Sequence, residues 1–222
     1  MTTSVESPDA HPESMADHAY RLLRQQLVLL DIAPGAPIAE NRLAAELGVG
    51  RTPLREALKR LEADHLVVTF SRRGTFATNV DITELSGISE MRQALVPLAA
   101  RKAAQQRGGS VRGALAEEVQ RLTALESDSD IDARQLLEGD LRIHRLISRA
   151  SENLYLEETL VRLDSLVTRM WCAMLDRIPP MDEHVMEHVA LIEAVLGGEA
   201  ERAEELAAGH VAHFDRVVRA VV

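Results

Sequence analysis

The 222-residue chain is short of cysteine and of aromatic side chains: a single Cys172, and 3% Phe, Trp and Tyr. One cysteine excludes an intramolecular disulfide framework and a four-cysteine zinc site, and it suits a reducing cytoplasm. Any metal would have to be held by histidines and carboxylates. The scarcity of aromatics, beside 46% hydrophobic residues rich in Ala, Leu and Val, argues against a β-sandwich or barrel and for a mainly α chain. No run of about 18 apolar residues is present, and Met1–Glu13 carries acidic residues and prolines without a basic, apolar leader. A cytoplasmic protein with no membrane partner is expected.

Basic charge is also in deficit, with 25 Lys and Arg against 35 Asp and Glu and a net charge of −10. The deficit is uneven. Met1–Glu13 has three acidic and no basic residues, Ser14–Thr78 has nine basic and seven acidic, and Asn79–Val222 has 16 basic and 25 acidic. The segment charges are therefore −3, +2 and −9, and Arg51, Arg55, Lys59, Arg60, Arg72 and Arg73 make the middle segment locally basic.

Three parts follow from the pattern. Residues 1–13 are polar and aperiodic and read as a disordered tail. Residues 14–78 read as helix, helix, turn, helix and hairpin. Apolar positions Ala19, Leu22, Leu23, Leu27 and Leu30 recur until Pro34-Gly35, and a second helix spans Asn41 to Leu47. Gly48-Val49-Gly50 breaks the period, and Thr52-Pro53 restarts it with an N-cap hydroxyl and a proline at the first helical position. A β-rich pair of runs then flanks Ser71-Arg72-Arg73-Gly74. Residues 79–222 read as an all-α bundle of about six helices, broken at Gly108-Gly109, Ser127–Asp130, Glu152-Asn153, Ile178-Pro179-Pro180 and Gly197-Gly198.

The middle segment has the layout of a winged helix-turn-helix, in which the second helix of the pair enters the major groove. Arg51, Thr52 and Arg55 begin that helix, with Lys59 one turn beyond Arg55, while Ala57, Leu58 and Leu61 face the core. The stretch from Leu43 to Leu61, with Arg-Thr-Pro-Leu-Arg-Glu-Ala-Leu at 51–58, resembles the GntR family of bacterial regulators. The resemblance covers residues 16–78 and implies base or phosphate contacts from Arg51 and Arg55, a phosphate contact from Asn41, and a wing whose Arg73 and Gly74 enter the minor groove. Gly50 departs from the family's usual Ser or Thr.

In the last segment Asp140 and His144 stand one helical turn apart on one face, and His188 and His210 lie on apolar faces of two later helices. Three helices could deliver one Asp and three His to a bundle interior. This pattern resembles the FCD effector domain of FadR-type GntR regulators over residues 81–222, which implies a divalent metal. Zinc is the first choice for imidazole-rich ligation, with nickel or manganese also compatible. His18, His65, His184 and His213 are read as ordinary partly buried or surface histidines, and Glu187 as pointing to a different helical face from His188. The resemblance also implies that Arg92 faces the cavity as an anchor for a small carboxylate effector, the alternative being a surface arginine paired with Glu90 or another acid; Val96 stands where relatives often carry Glu. The expected function is a repressor, homodimeric on an inverted-repeat DNA operator and modulated by that effector. Metal sensing is a second reading, and a metalloenzyme with a DNA-binding appendage a third, disfavoured by the lack of any catalytic motif.

Overall fold

The computed structural model describes residues 13–125, 132–177 and 182–220. The expected tail, apart from Glu13, and the breaks expected at Ser127–Asp130 and Ile178–Pro180 fall outside the described residues. The chain divides into two compact units, one made of residues up to Leu27 with Ile32–Thr78, the other of Val28–Asp31 with the chain from Asn79 onward.

The first unit contains α1 (Met15–Val28), α2 (Glu40–Glu46), α3 (Arg51–Ala63), β1 (Val67–Phe70) and β2 (Gly74–Ala77). Helix α1 buries Ala16, Ala19, Leu23 and Leu27, spaced by three and four residues along one face. It ends six residues before Pro34, earlier than its apolar period suggests. Leu30 turns into the left-handed region (φ +60°), and the Ile32 N–H caps the Gln26 carbonyl at 3.2 Å. Between α2 and α3 the chain reverses at Gly48 (φ +65°), where a side chain would be strained.

Gly50, in extended conformation, is the N-cap of α3, and it offers no side-chain cap. Thr52 is therefore a helical residue and not the cap that the sequence suggested, and Pro53 stands third in the helix. Proline is tolerated there because first-turn N–H groups have no intrahelical acceptor. Leu54, Ala57, Leu58 and Leu61 are buried. Tyr20 ties α1 to α3: its hydroxyl donates to Asp64 at 2.6 Å, and the Arg60 guanidinium lies 4.0 Å above its ring. Strands β1 and β2 pair antiparallel from Val67↔Ala77 to Phe70↔Gly74, closed by a turn with Arg72 and Gly74 at positive φ.

The second unit is helical: α4 (Leu85–Gln105), α5 (Arg112–Leu125), α6 (Ala133–Ala150), α7 (Leu154–Cys172), α8 (Asp182–Gly197) and α9 (Ala200–Arg219). Helix α4 packs against α6, α7, α8 and α9 and so forms the axis of the bundle. Its buried face carries Ala99, Ala100, Ala103 and Ala104, all at most 1% exposed, which lets neighbouring backbones approach closely. Pro97 lies inside α4 without ending it. The helix stops at Gly108 (φ +87°), whose N–H caps the Ala103 carbonyl at 2.9 Å. Asn153 caps α7 by accepting from the Leu156 N–H at 3.3 Å. No helix among the described residues is long and apolar enough to cross a membrane.

Ile192 on α8 is fully buried in the bundle core. Ile192→Ala is expected to cost about 2–5 kcal/mol and Ile192→Val about 0.5–1.5 kcal/mol in urea unfolding of the full chain; equal losses for the two variants would show that the site collapses around the deletion.

Candidate metal centre and nucleic-acid interface

Helix α6 buries one face, and Asp140 and His144, four residues apart on it, point inward with Leu137, Leu141 and Ile147. Helix α8 contributes His184 and His188 by the same spacing, and α9 contributes His210. Packing of α6 and α9 against α8 brings these side chains together. One donor atom from each of Asp140, His144, His188 and His210 falls within a set whose members lie within 4.8 Å of one another, and all four residues are buried.

The individual separations are 3.2 Å between the Nε2 atoms of His144 and His210, and 3.8 and 3.7 Å from Asp140 Oδ1 to His144 Nε2 and His188 Nε2. Donors bonded tetrahedrally to one zinc ion at about 2.0–2.1 Å stand roughly 3.3–3.4 Å apart, so these edges need little adjustment to take an ion. Asp140 Oδ1 and His188 Nε2 are both buried without a hydrogen-bond partner. Buried polar atoms are normally satisfied, and an unpaired pair facing each other fits a cation between them.

The outer nitrogens set the inner ones. His188 Nδ1 lies 3.2 Å from the Val185 carbonyl, which can only accept, so the ring carries its proton there and turns the Nε2 lone pair inward. His210 Nδ1 donates in the same way to Glu187 Oε2 at 2.8 Å. Burial pushes the imidazoles down, His188 to about 4, His184 to about 2, and His144 and His210 well below the usual range, and it pushes Asp140 up to about 7. The rings are thus neutral, and His188 and His210 turn their Nε2 lone pairs inward.

One reading from sequence is corrected here, and one contact is added to it. His184 is not an ordinary partly exposed histidine: it is 7% exposed and stacks on His210 with ring centroids 4.0 Å apart. Glu187, from its own helical face, nonetheless reaches the outer edge of the cluster, where its two oxygens accept from His210 Nδ1 and, at 2.6 Å, from His213 Nδ1. The i,i+4 spacing of His184 and His188 was the available signal for the first; for Glu187 no sequence signal existed, because its partners lie on α9.

Arg92, on α4, is buried, not at the surface, and the acid it pairs with is Asp164 and not Glu90. Its Nε donates to Asp164 Oδ1 at 2.9 Å, its guanidinium lies 5.4 Å from the Phe214 ring centre, and its Nη1 has no partner. Val96 is part of the apolar core.

In the first unit Arg51, Thr52, Arg55 and Lys59 all lie on the exposed side of α3, opposite its buried leucines. Asn41 is exposed on α2, and Arg73 and Gly74 are exposed at the hairpin tip, with the Arg73 guanidinium 5.7 Å from the Phe70 ring. Arg55 Nε is paired with Glu40 Oε2 at 3.0 Å, a partner that the sequence did not reveal.

Residues 15–77 match the gntR family of bacterial regulatory proteins, and residues 87–213 match the FCD domain. The HTH-type transcriptional repressor RspR of Escherichia coli is 24% identical over 202 residues, covering 91% of this chain and 88% of that one. The Nta operon transcriptional regulator of Aminobacter aminovorans is 29% identical over 201 residues, covering 85% and 87%. The solved structure of E. coli McbR/YncC shares the fold, with a TM-score of 0.77 at 21% identity, covering 93% of this chain and 98% of the other. With both segments matched and a repressor aligned along nearly its whole length, the chain belongs to the GntR family of bacterial transcription regulators and carries an FCD domain.

Proposed function

We propose that this regulator acts in the cytoplasm as a homodimer that represses from an inverted-repeat operator, and that a small organic carboxylate modulates it at a divalent metal, zinc first, held by Asp140, His144, His188 and His210. The observation that carries the metal reading is the pair of buried, unpartnered donors Asp140 Oδ1 and His188 Nε2, 3.7 Å apart. On this reading residues 14–78 bind DNA and residues 79–222 bind the effector.

In the DNA-binding part, Arg51, Thr52, Arg55 and Lys59 lie on the exposed side of the helix that follows the tight Gly48 turn, with Asn41, Arg73 and Gly74 set to engage the backbone and the neighbouring groove. A single winged unit offers few base contacts, so two copies reading symmetric half-sites supply the remaining specificity. Arg55 must exchange Glu40 for a base edge or phosphate. Arg55→Ala is expected to weaken operator binding by about 1–3 kcal/mol if the residue reads a base, and to flatten the salt dependence if it holds phosphate. Wild-type operator affinity in both Arg51→Ala and Arg55→Ala, measured at matched salt, would refute the assignment of α3.

At the metal centre the bound ion supplies a Lewis-acidic position for carboxylate oxygens. His188 and His210 are oriented by Val185 and Glu187, and Asp140 supplies the anionic ligand. Because burial raises Asp140 to about 7 in the metal-free protein, loading the ion below that pH must drive off its proton. Metal affinity should then rise about tenfold per pH unit from about pH 5.5 to 7 and level off above, with close to one proton released per ion near pH 6 and almost none near pH 8. Calorimetry in buffers of different ionisation enthalpy measures this directly. The neutral imidazoles add no proton over that range, and His144→Ala should lose both the uptake and the release.

Arg92 is the proposed second anchor of the effector. Its Nε is committed to Asp164, so Nη1 is the atom it offers to a carboxylate oxygen. Calorimetric titration of a panel of hydroxy-, keto- and dicarboxylic acids should find a binder that is lost on chelation and weakened in Arg92→Ala. A best ligand that is uncharged and indifferent to metal would overturn the effector class.

A further inference from the structure

His184 stands one helical turn before His188 on α8, outside the four residues assigned above. Its Nε2 lies 3.6 Å from Asp140 Oδ1, nearer than the Nε2 atoms of His188 at 3.7 Å and His144 at 3.8 Å. Its ring is stacked on His210 at an interplanar angle of 22°. The stacked rings share one polarity: Nε2 faces inward, and Nδ1 faces Glu187 Oε2, at 3.7 Å for His184 and 2.8 Å for His210. A histidine that only fills space against Trp171 and Phe214 has no need to aim a nitrogen at Asp140.

His184 is also held more loosely than its neighbours. His188 and His210 each have Nδ1 fixed by an acceptor, at 3.2 and 2.8 Å, as orienting partners fix metal-bound histidines. At 3.7 Å His184 Nδ1 is beyond hydrogen-bonding distance from Glu187, and the residue stands outside the tight set of four mutually close donors. An inward nitrogen without an outer anchor suits a ligand that can leave.

We infer that His184 is a fifth, displaceable donor to the metal, occupying the coordination position that a small carboxylate takes, so that the effector binds by displacing the protein's own imidazole. This rests on the metal centre proposed above. One donor bond is exchanged for another: His184 leaves as a neutral imidazole, the carboxylate enters as an anion, and no proton or electron is transferred. A self-ligand of this kind scales the apparent carboxylate affinity by the fraction of time it leaves the position free, so a position held nine-tenths of the time weakens binding about tenfold.

The test uses the full chain loaded with cobalt(II), whose visible absorption reports its ligands. Wild type, His184→Ala and His184→Phe should each take up one ion per chain, with phenylalanine preserving the stack on His210 if alanine unsettles the fold. Both variants should show altered bands, imidazole added to His184→Ala should restore the wild-type bands, and acetate should bind the variants about tenfold more tightly than wild type. Unchanged bands and acetate affinity in a loaded variant would make His184 a packing residue and overturn the inference alone. Failure of the wild type to take up cobalt stoichiometrically would instead overturn the centre itself, and this inference with it.

Discussion

A carboxylate and several imidazoles sit in the apolar interior of the helical unit, and the cost of taking them out of water governs what surrounds them. Desolvation alone pushes Asp140 toward protonation and strips the histidines of charge. Left so, the interior would hold a neutral acid facing unused lone pairs, an arrangement that a hydrophobic replacement of similar volume would improve. A divalent cation reverses the balance, because it favours the ionised carboxylate and the neutral rings together. The outer contacts of His188 and His210 then serve to hold tautomers and not to add stability in their own right.

A buried ion pair, Arg92–Asp164, flanks this cluster and joins α4 to α7. Such pairs contribute little net stability once desolvation is counted, but removing one partner is costly. Its position near Phe214, which also contacts Trp171, places a guanidinium at the edge of the same interior. The structure thus has positive charge fixed beside the candidate metal site without neutralising Asp140 by direct contact.

Much of the fold was legible in the sequence because its signals are local. Glycines at 48, 108 and 198, the Asn153 cap and the apolar period of each helix mark element ends without reference to tertiary structure. The end of α1 was misplaced because Leu30 continues the apolar period although its backbone has already turned left-handed, a conformation that a leucine side chain does not advertise. The Thr52 cap was misread because Gly50 makes the extended entry by backbone alone. At the candidate metal site, Asp140 and His144 could be paired by helical spacing, and His188 and His210 by their apolar faces. The Arg92–Asp164 and Glu40–Arg55 pairs join residues 72 and 15 positions apart on different helices, and no periodicity in one sequence records that.

The alanine face of α4 has a further consequence. Ala99, Ala100, Ala103 and Ala104 have no rotamers to change and no long side chains to interlock with their neighbours. Those four positions therefore lose almost no side-chain freedom on folding, and this stretch of α4 is ordered for little entropy beyond that of its backbone.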